Sequence, residues 1–413
     1  SDDFFNESPE VRFKNVVDFA TMAEFIVVAT NDEAHSTWKV DASVDGSTFA
    51  DAEFPHGFVV EHQKGYTVLE SSTHSVFLHV TVNNQKGLEY GSIIKSNSNG
   101  TSYVLSINAV DRDAVGYVDF EKMAGIEGVA LVNVVANYND RDYAKEGKKL
   151  KTMITHNDGA EWDYLHPPPK DANGKPFDCS GPLSKCSLHI RGYTEREQKS
   201  HVYYSQSAIG LMLGTGNVGE YLSRSDDEVD TFMTADAGIT WKSVKKGRYM
   251  WEFGDQGSIV VIVKEKAPTN VVYYSLDEGN TWIEYKFSEE LLEINDITTV
   301  PSDNARNFLL WGNPNGNDIF TVNLDFTGLT DVQCRLDETD VEAGDYYLWT
   351  PKHPKQDDDC LFGHVSQYHR KRIESKCYNG RMIPSLHDIA KNCTCTRRDF
   401  EWLAWTFIFT TKH

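Results

Sequence analysis

The chain reads as all-β: a β-propeller of about six four-stranded blades over residues 1–329. A small Cys-rich disulfide module follows at 330–401, and a divergent apolar tail closes the chain at 402–413. Three observations predict this. One octamer recurs along the chain, the best-preserved unit around it carries four strand-like runs, and most of the cysteines gather where those runs stop.

The octamer is Ser/Thr-x-Asp-x-Gly-x-Thr-Trp. It stands as TADAGITW at 234–241 and SLDEGNTW at 275–282, and as THNDGAEW at 155–162 with Asn for Asp and Glu for Thr. Two worn copies precede these: SNSNGTSY (96–103) and the one-residue-shorter SVDGSTF (43–49). Each copy lies between runs rich in β-branched and aromatic residues, which is a hairpin signature. The third-position side chains, Asp45, Asn157, Asp236 and Asp277, suit a turn acceptor for their own backbone amides. Gly159, Gly238 and Gly279 at the fifth position supply positive φ. The Ser/Thr hydroxyls tie the loop ends, and Trp162, Trp241 and Trp282 offer apolar plates that pack between neighbouring sheets. Trp241 and Trp282 are expected to be buried there. Catalysis or calcium binding by the acid is the competing reading; it yields because the motif provides all of its own hydrogen-bond partners.

Four runs in one unit, YMWEF (249–253), SIVVIVK (258–264), NVVYYS (270–275) and TWIEYKF (281–287), read as short strands separated by turn residues. Similar quartets fall at about 12–58, 58–110, 127–165 and 187–244, with a last unit at about 291–326 that has no octamer. The stretch HPPPKDANGKPFDCSGPLSKC (166–186) is an insertion into one unit.

The chain has 413 residues, 12% of them aromatic, so it has the means to bury a large core. A net charge of −22, with no basic cluster of note to offset it, argues against nucleic acid and anionic membrane surfaces as partners. No run reaches the roughly 20 apolar residues of a membrane span, and WLAWTFIFT (402–410) is too short. Seven cysteines point to an oxidising compartment. Cys179 and Cys186 suit a small local disulfide in the insertion; the other five, Cys334, Cys360, Cys377, Cys393 and Cys395, crowd the C-terminal part. NCTC is a C-x-C, but no His or second Cys pair accompanies it at zinc spacing, so no metal or other cofactor is expected. Sequons at Asn6, Asn99 and Asn392 agree with a secretory-pathway glycoprotein.

These octamers resemble the Asp boxes of sialidases and of sortilin-type vacuolar protein sorting receptors. The Cys-bracketed insertion followed by SLHIRGY, and the order Cys334…LWTP…DDDC-LFGH…SKCYNGR…NCTC, are similar to the second group, in particular to its fungal carboxypeptidase Y-sorting branch. The resemblance covers the chain to about Glu401. It implies a lumenal module of a single-pass receptor on the late Golgi, endosome and vacuole route. Such a receptor captures peptide or pro-protein cargo, such as vacuolar hydrolases, in a ten-bladed propeller without catalysis. Acid release of that cargo would draw on histidines. The resemblance also implies the pairs Cys334–Cys377 and Cys360–Cys393 and leaves Cys395 free. Against the family pattern the first four blades, the second Cys-rich module, the membrane span and the tail are not in this chain, and EWLAWTFIFTTKH stands where Cys-rich sequence is expected. The expectation is a truncated paralogue, poorly secreted and prone to disulfide dimers, with membrane association only through segments absent from the chain.

A sialidase-like glycoside hydrolase or glycan-binding propeller is the alternative, but the arginines are scattered and no Arg-Ile-Pro segment opens the chain. GTGNVG (214–219) matches a dinucleotide fingerprint without a following helix and reads as a Gly-rich hairpin. His74 and His79 fall on opposite faces of one strand and cannot share a metal. In sortilin-like receptors a basic residue on the strand entering an Asp box holds the cargo carboxylate. The comparable strand is STWKVDA, where Trp38 occupies that register and Lys39 lies beside it. Both are carried over as cargo-binding candidates, against a purely structural role on the strand.

Overall fold

The computed structural model describes the chain except for residues 1–10, 22–24, 33–36, 57, 59–65, 70–74, 124, 197–204, 206, 301–303, 314–318, 338, 357, 381–386 and 395–413. It is all-β, with antiparallel sheets of four strands as the recurring unit. The residues form two compact units, Ser1–Val118 with Asn137–Lys148, and Asp119–Ala136 with Lys149–Glu401.

In the first unit one sheet runs Val16–Thr21, Ile26–Asp32, Thr37–Ser43 and Ala50–Asp51, each strand paired to the next. The second comprises Tyr66–Leu69, Phe77–Asn83, Tyr90–Ser96 and Tyr103–Asp111. Alternation along the strands sends Val27 and Val40 from the first, and Leu78, Val80 and Ile94 from the second, into one shared core.

Three four-stranded antiparallel groups, called the third to fifth sheets, follow in the second unit. The third sheet has Phe120–Lys122, Ala130–Val135, Leu150–Thr155 and Asp163–Tyr164; the fourth has Ser187–Ile190, Met212–Gly219, Asp230–Thr234 and Lys242–Lys245. The fifth has Tyr249–Gly254, Ile259–Lys264, Val271–Ser275 and Ile283–Lys286. A sixth sheet has three strands, Ile294–Thr298, Asn307–Gly312 and Phe320–Asp325. The central strand of the fifth sheet, IVVIVK, is a near-continuous apolar run, the signature of a strand covered on both faces. Its odd residues Ile259, Val261 and Val263 pack with Ile297, Phe308 and Leu310 of the sixth sheet. Its even residues Val260 and Ile262 pack with Leu213 and Met233 of the fourth. Adjacent Met212 and Leu213 split in the same way, Met212 facing Leu131 and Ile154 of the third sheet. The third to sixth sheets therefore stack face to face in series, with the central strands of the fourth and fifth covered on both sides; every such aliphatic side chain contributes about 1.5–3 kcal/mol.

Three expectations need correction. The Cys-rich segment does not begin where strands end: Tyr346–Trp349, His364–Lys371 and His387–Asn392 form a further antiparallel sheet. GTGNVG is not a hairpin but lies within the strand Met212–Gly219, where a Cβ on Gly216 would fall 1.8 Å from the His189 carbonyl oxygen. Trp282 is only half-buried, at the margin of the core between the fourth and fifth sheets, whereas Trp241 is 3% exposed. His74 lies outside the described residues; His79 is buried with its Nε2 at 3.3 Å from the Val110 carbonyl.

Candidate functional site

The octamer turns are built alike. In the copy at 234–241 the Thr234 hydroxyl donates to Asp236 Oδ1 (2.8 Å) and accepts the Gly238 amide (2.9 Å). Asp236 accepts the Thr240 amide at 2.8 Å and its hydroxyl at 2.5 Å. Ser275, Asp277, Gly279 and Thr281 repeat these bonds within 0.1 Å, at 2.8, 2.8, 2.8 and 2.6 Å. Asn157 accepts the Glu161 amide at 2.9 Å, and Asp45 accepts those of Ser47 and Thr48 at 2.7 and 2.6 Å. Burial works to raise the Asp277 pKa, but the Thr281 hydroxyl and amide bring it below the usual carboxylate range. Thr48 and Ser47 amides hold the exposed Asp45 low as well. The worn copy at 96–103 departs from the frame read in the sequence: Asn97, one position earlier, accepts the Thr101 amide at 3.0 Å.

Two features were not legible. The fourth position is left-handed as well as the fifth: φ is 57° at Asp158, 60° at Ala237 and 55° at Glu278. These residues carry a strain that single L-residues ordinarily avoid. It is met by bonds across the sheet, Asp158 N to Gly128 O at 2.8 Å and Ala237 N to Gly210 O at 3.0 Å. The accepting glycines stand in GVAL and GLML, a second short repeat that marks the loop each turn leans on. The fifth-position glycine has a second role. A Cβ on Gly238 would lie 2.4 Å from Ile154 Cδ1, and one on Gly279 would lie 2.5 Å from Met233 Sδ. Ile154 and Met233 immediately precede the octamers of the sheet before, so successive turns interlock.

The row of turns carries the C-terminal sheet. His353 Nδ1 lies 2.6 Å from the His156 carbonyl, and His156 Nε2 lies 3.1 Å from the carbonyl of Ala237 in the next turn. Arg370 donates to the Ala235 carbonyl (2.9 Å), pairs with Glu278 (2.6 Å) and stacks over Trp349. Glu127 bonds His364 (2.8 Å) and Ser366 (3.0 Å), while its amide donates to the Tyr368 hydroxyl (3.2 Å). The sheet's frame includes the disulfides Cys334–Cys377 and Cys360–Cys393; Cys179–Cys186 closes a loop before the strand Ser187–Ile190. Burial pushes the pKa values of His156 and His189 down to about 4, that of His79 to about 3, and that of His353 down as well.

The cargo candidates part company. Trp38 packs against the first-unit core. Lys39 is 47% exposed and its ammonium pairs with Asp51 (2.6 Å) and Asp41 (3.5 Å). The hydrogen bond that Lys39 donates to Asp51 raises the Lys39 pKa, and burial raises that of Asp41. A carboxylate ligand at Lys39 would have to displace the exposed Asp51. Asn99 and Asn392 are exposed, Trp162 is half-buried, and Asn6 and Cys395 lie outside the described residues.

Serial sheets tied by one Asx-and-hydroxyl turn, with a disulfide-framed sheet laid along those turns, define a β-repeat protein built on Asp-box turns. The family model described as sortilin, neurotensin receptor 3, matches residues 1–297, and its C-terminal counterpart matches 299–404. The chain belongs to the Sortilin-Vps10 family. It is 57% identical over 406 residues to the vacuolar protein sorting/targeting protein 10 of Pyrenophora tritici-repentis, and 57% identical over 408 residues to that of an Aspergillus fumigatus strain. Each alignment covers 97% of this chain and 27% of the relative, so the chain spans about a quarter of the length of the curated relatives it matches. Among solved structures, the β-propeller domain of the trilobed protease from Pyrococcus furiosus overlaps with a TM-score of 0.29 at 12% identity, over 69% of this chain and 86% of that one. An overlap that low carries no argument.

Proposed function

We propose that the chain is a non-catalytic, lumenal cargo-binding portion of a vacuolar sorting receptor, taking peptide or pro-protein cargo such as vacuolar hydrolases. The observation that carries this reading is the 57% identity across 97% of the chain to proteins named for vacuolar sorting and targeting. The turn chemistry supports it. Asp45, Asp236 and Asp277, the acids that an Asp-box hydrolase reading would first enlist, each accept hydrogen bonds from their own loop. In this reading the six sheets are blades of a larger family propeller, and the C-terminal sheet is its Cys-rich module. Glycans at the exposed Asn99 and Asn392 fit a lumenal setting, and no helix among the described residues is long and apolar enough to cross a membrane.

The test is direct binding of an immobilised chain to a vacuolar hydrolase pro-peptide by interferometry. Saturable binding supports the reading, and turnover of a sialoside substrate replaces it with the hydrolase alternative. Lys39→Ala decides the carried-over cargo site. A several-fold loss of affinity assigns Lys39 to cargo, while unchanged affinity leaves it as the partner of Asp51 and Asp41 alone.

A further inference from the structure

A cavity in the second unit has a volume of about 360 Å³ and lies between the 275–282 turn, the end of the sixth sheet and the Cys-framed segment. Its apolar wall includes Ile259, Leu276, Ile283, Phe326, Leu329 and Ile373. Four of these, Leu276, Ile283, Leu329 and Ile373, are large side chains left exposed, which is an unfavourable arrangement for a surface with no occupant.

The charged lining is asymmetric in what is left available. Asp255 is saturated by the Asn379 and Gly380 amides, both at 2.9 Å, and by the Ser258 hydroxyl at 2.6 Å. Asp277 is saturated by its own turn. Ser375 is turned to Asp345, and the Thr330 hydroxyl to the Lys376 carbonyl. The cations are freer. Arg306 lies flat on Tyr378 and commits one nitrogen, Nη1, to the carbonyls of Thr327 and Thr330. Lys371, at the end of the strand His364–Lys371, faces the cavity with no hydrogen bond or ion pair to any described residue, and Asp255 and Asp345 act on it only through space. Burial lowers its pKa, the mark of an ammonium that lacks full solvation.

We propose that this cavity is a binding site for a small anionic amphiphile, a carboxylate carried on an apolar body, with Lys371 as the carboxylate partner. At about 30 Å³ for each carbon-sized group, the volume admits a body of roughly ten carbons. Pockets of this size, with mostly apolar walls and few polar anchors, are ordinary ligand sites. The Asp-box turn contributes one wall, and the site is distinct from Lys39, so it stands or falls independently of the cargo reading.

The experiment is calorimetric titration of the full chain with decanoate, decanol and decylammonium, each below its aggregation threshold. The expected result is saturable decanoate binding, weaker decanol binding and none for decylammonium. Lys371→Met should weaken decanoate about tenfold and leave decanol unchanged, with Lys371→Arg restoring part of the loss. Ile283→Asp, at an exposed edge-strand position, should abolish both. Should Lys371→Met fail to fold, the unaltered chain still decides. Decanoate must protect Lys371 from an amine-acylating reagent more than it protects the exposed Lys145. Failure of decanoate to saturate, equal affinity for all three amphiphiles, or no selective protection of Lys371 overturns the proposal.

Discussion

Asp255 and Asn379, far apart in the chain, share four hydrogen-bonding groups within one buried contact. The Asp255 carboxylate accepts the Asn379 amide at 2.9 Å, and the Asp255 carbonyl accepts Asn379 Nδ2 at 2.6 Å. Asn379 Oδ1 is in turn held by the Tyr346 hydroxyl at 2.7 Å, so the fifth sheet and the Cys-framed segment are joined by a closed polar network. Asp255 and Asn379 are 1% and 2% exposed, and solvent does not substitute for either.

Asp255→Ala should therefore leave the buried Asn379 amide without its acceptor, at about 1–3 kcal/mol, and remove the acceptor of the Gly380 amide and the Ser258 hydroxyl as well. The expected outcome is a thermal transition lowered by several degrees and faster proteolytic cleavage between residues 330 and 394. Asp255→Asn, which keeps one acceptor, should fall between. A melt like that of the parent would mean that the network does not hold the segment.

Gly238→Ala tests the interlock of successive turns. The new methyl meets both a φ of 86° and Ile154 Cδ1 at 2.4 Å. Left-handed strain together with overpacking predicts a loss of about 2–4 kcal/mol. Pairing it with Ile154→Ala should recover part of the steric share in a double-mutant cycle and none of the backbone share. Chemical denaturation measures both.

The two octamer tryptophans should differ. Trp241 is buried in the core shared by the third and fourth sheets and donates Nε1 to the Gly238 carbonyl at 3.1 Å, so Trp241→Ala should cost about 3–5 kcal/mol. Trp282 is half-buried and its Nε1 has no partner, so Trp282→Ala should cost about half as much. Equal costs in denaturant melts would contradict this ordering.

Acid should weaken the second unit through His189 and His156. Nδ1 of His189 accepts the Thr152 amide at 3.0 Å, which requires the neutral ring with its proton on Nε2. Both folded values lie near 4, below the ordinary 6.5 of the unfolded chain. Between those pH values the unfolded state binds the protons, so stability is full above about 6.5 and is lost as pH falls toward 4. At about 1.4 kcal/mol per pKa unit each ring contributes on the order of 3 kcal/mol across that window. Urea midpoints measured from pH 7 to pH 4 should fall accordingly, and His189→Gln should flatten the curve. The same burial places these two rings, and His79, outside any ligand-release step near pH 6.

The turns were readable because each is a local device. Asp277 finds Ser275 and Thr281 within its own loop, so spacing in the chain is spacing in space, and the strand pattern of 249–287 needed nothing beyond alternation and turn residues. The depth of Trp282 was not readable, since its burial depends on how far the neighbouring sheet extends over it. Nor was the strand carrying Lys371, hidden in a segment whose cysteines dominate its composition.

Local chemistry thus settled the repeat, the all-β class and the chemistry of the octamers. Tertiary structure alone decided what those octamers do besides closing hairpins. The left-handed Ala237 and Glu278, the contact of Gly238 with Ile154 and the grip of Arg370 on Ala235 and Glu278 join residues from different repeats. Such contacts exist only once the sheets have stacked. Nothing in an octamer's own residues encodes which side chain of the next sheet, or of the C-terminal segment, will be brought against it.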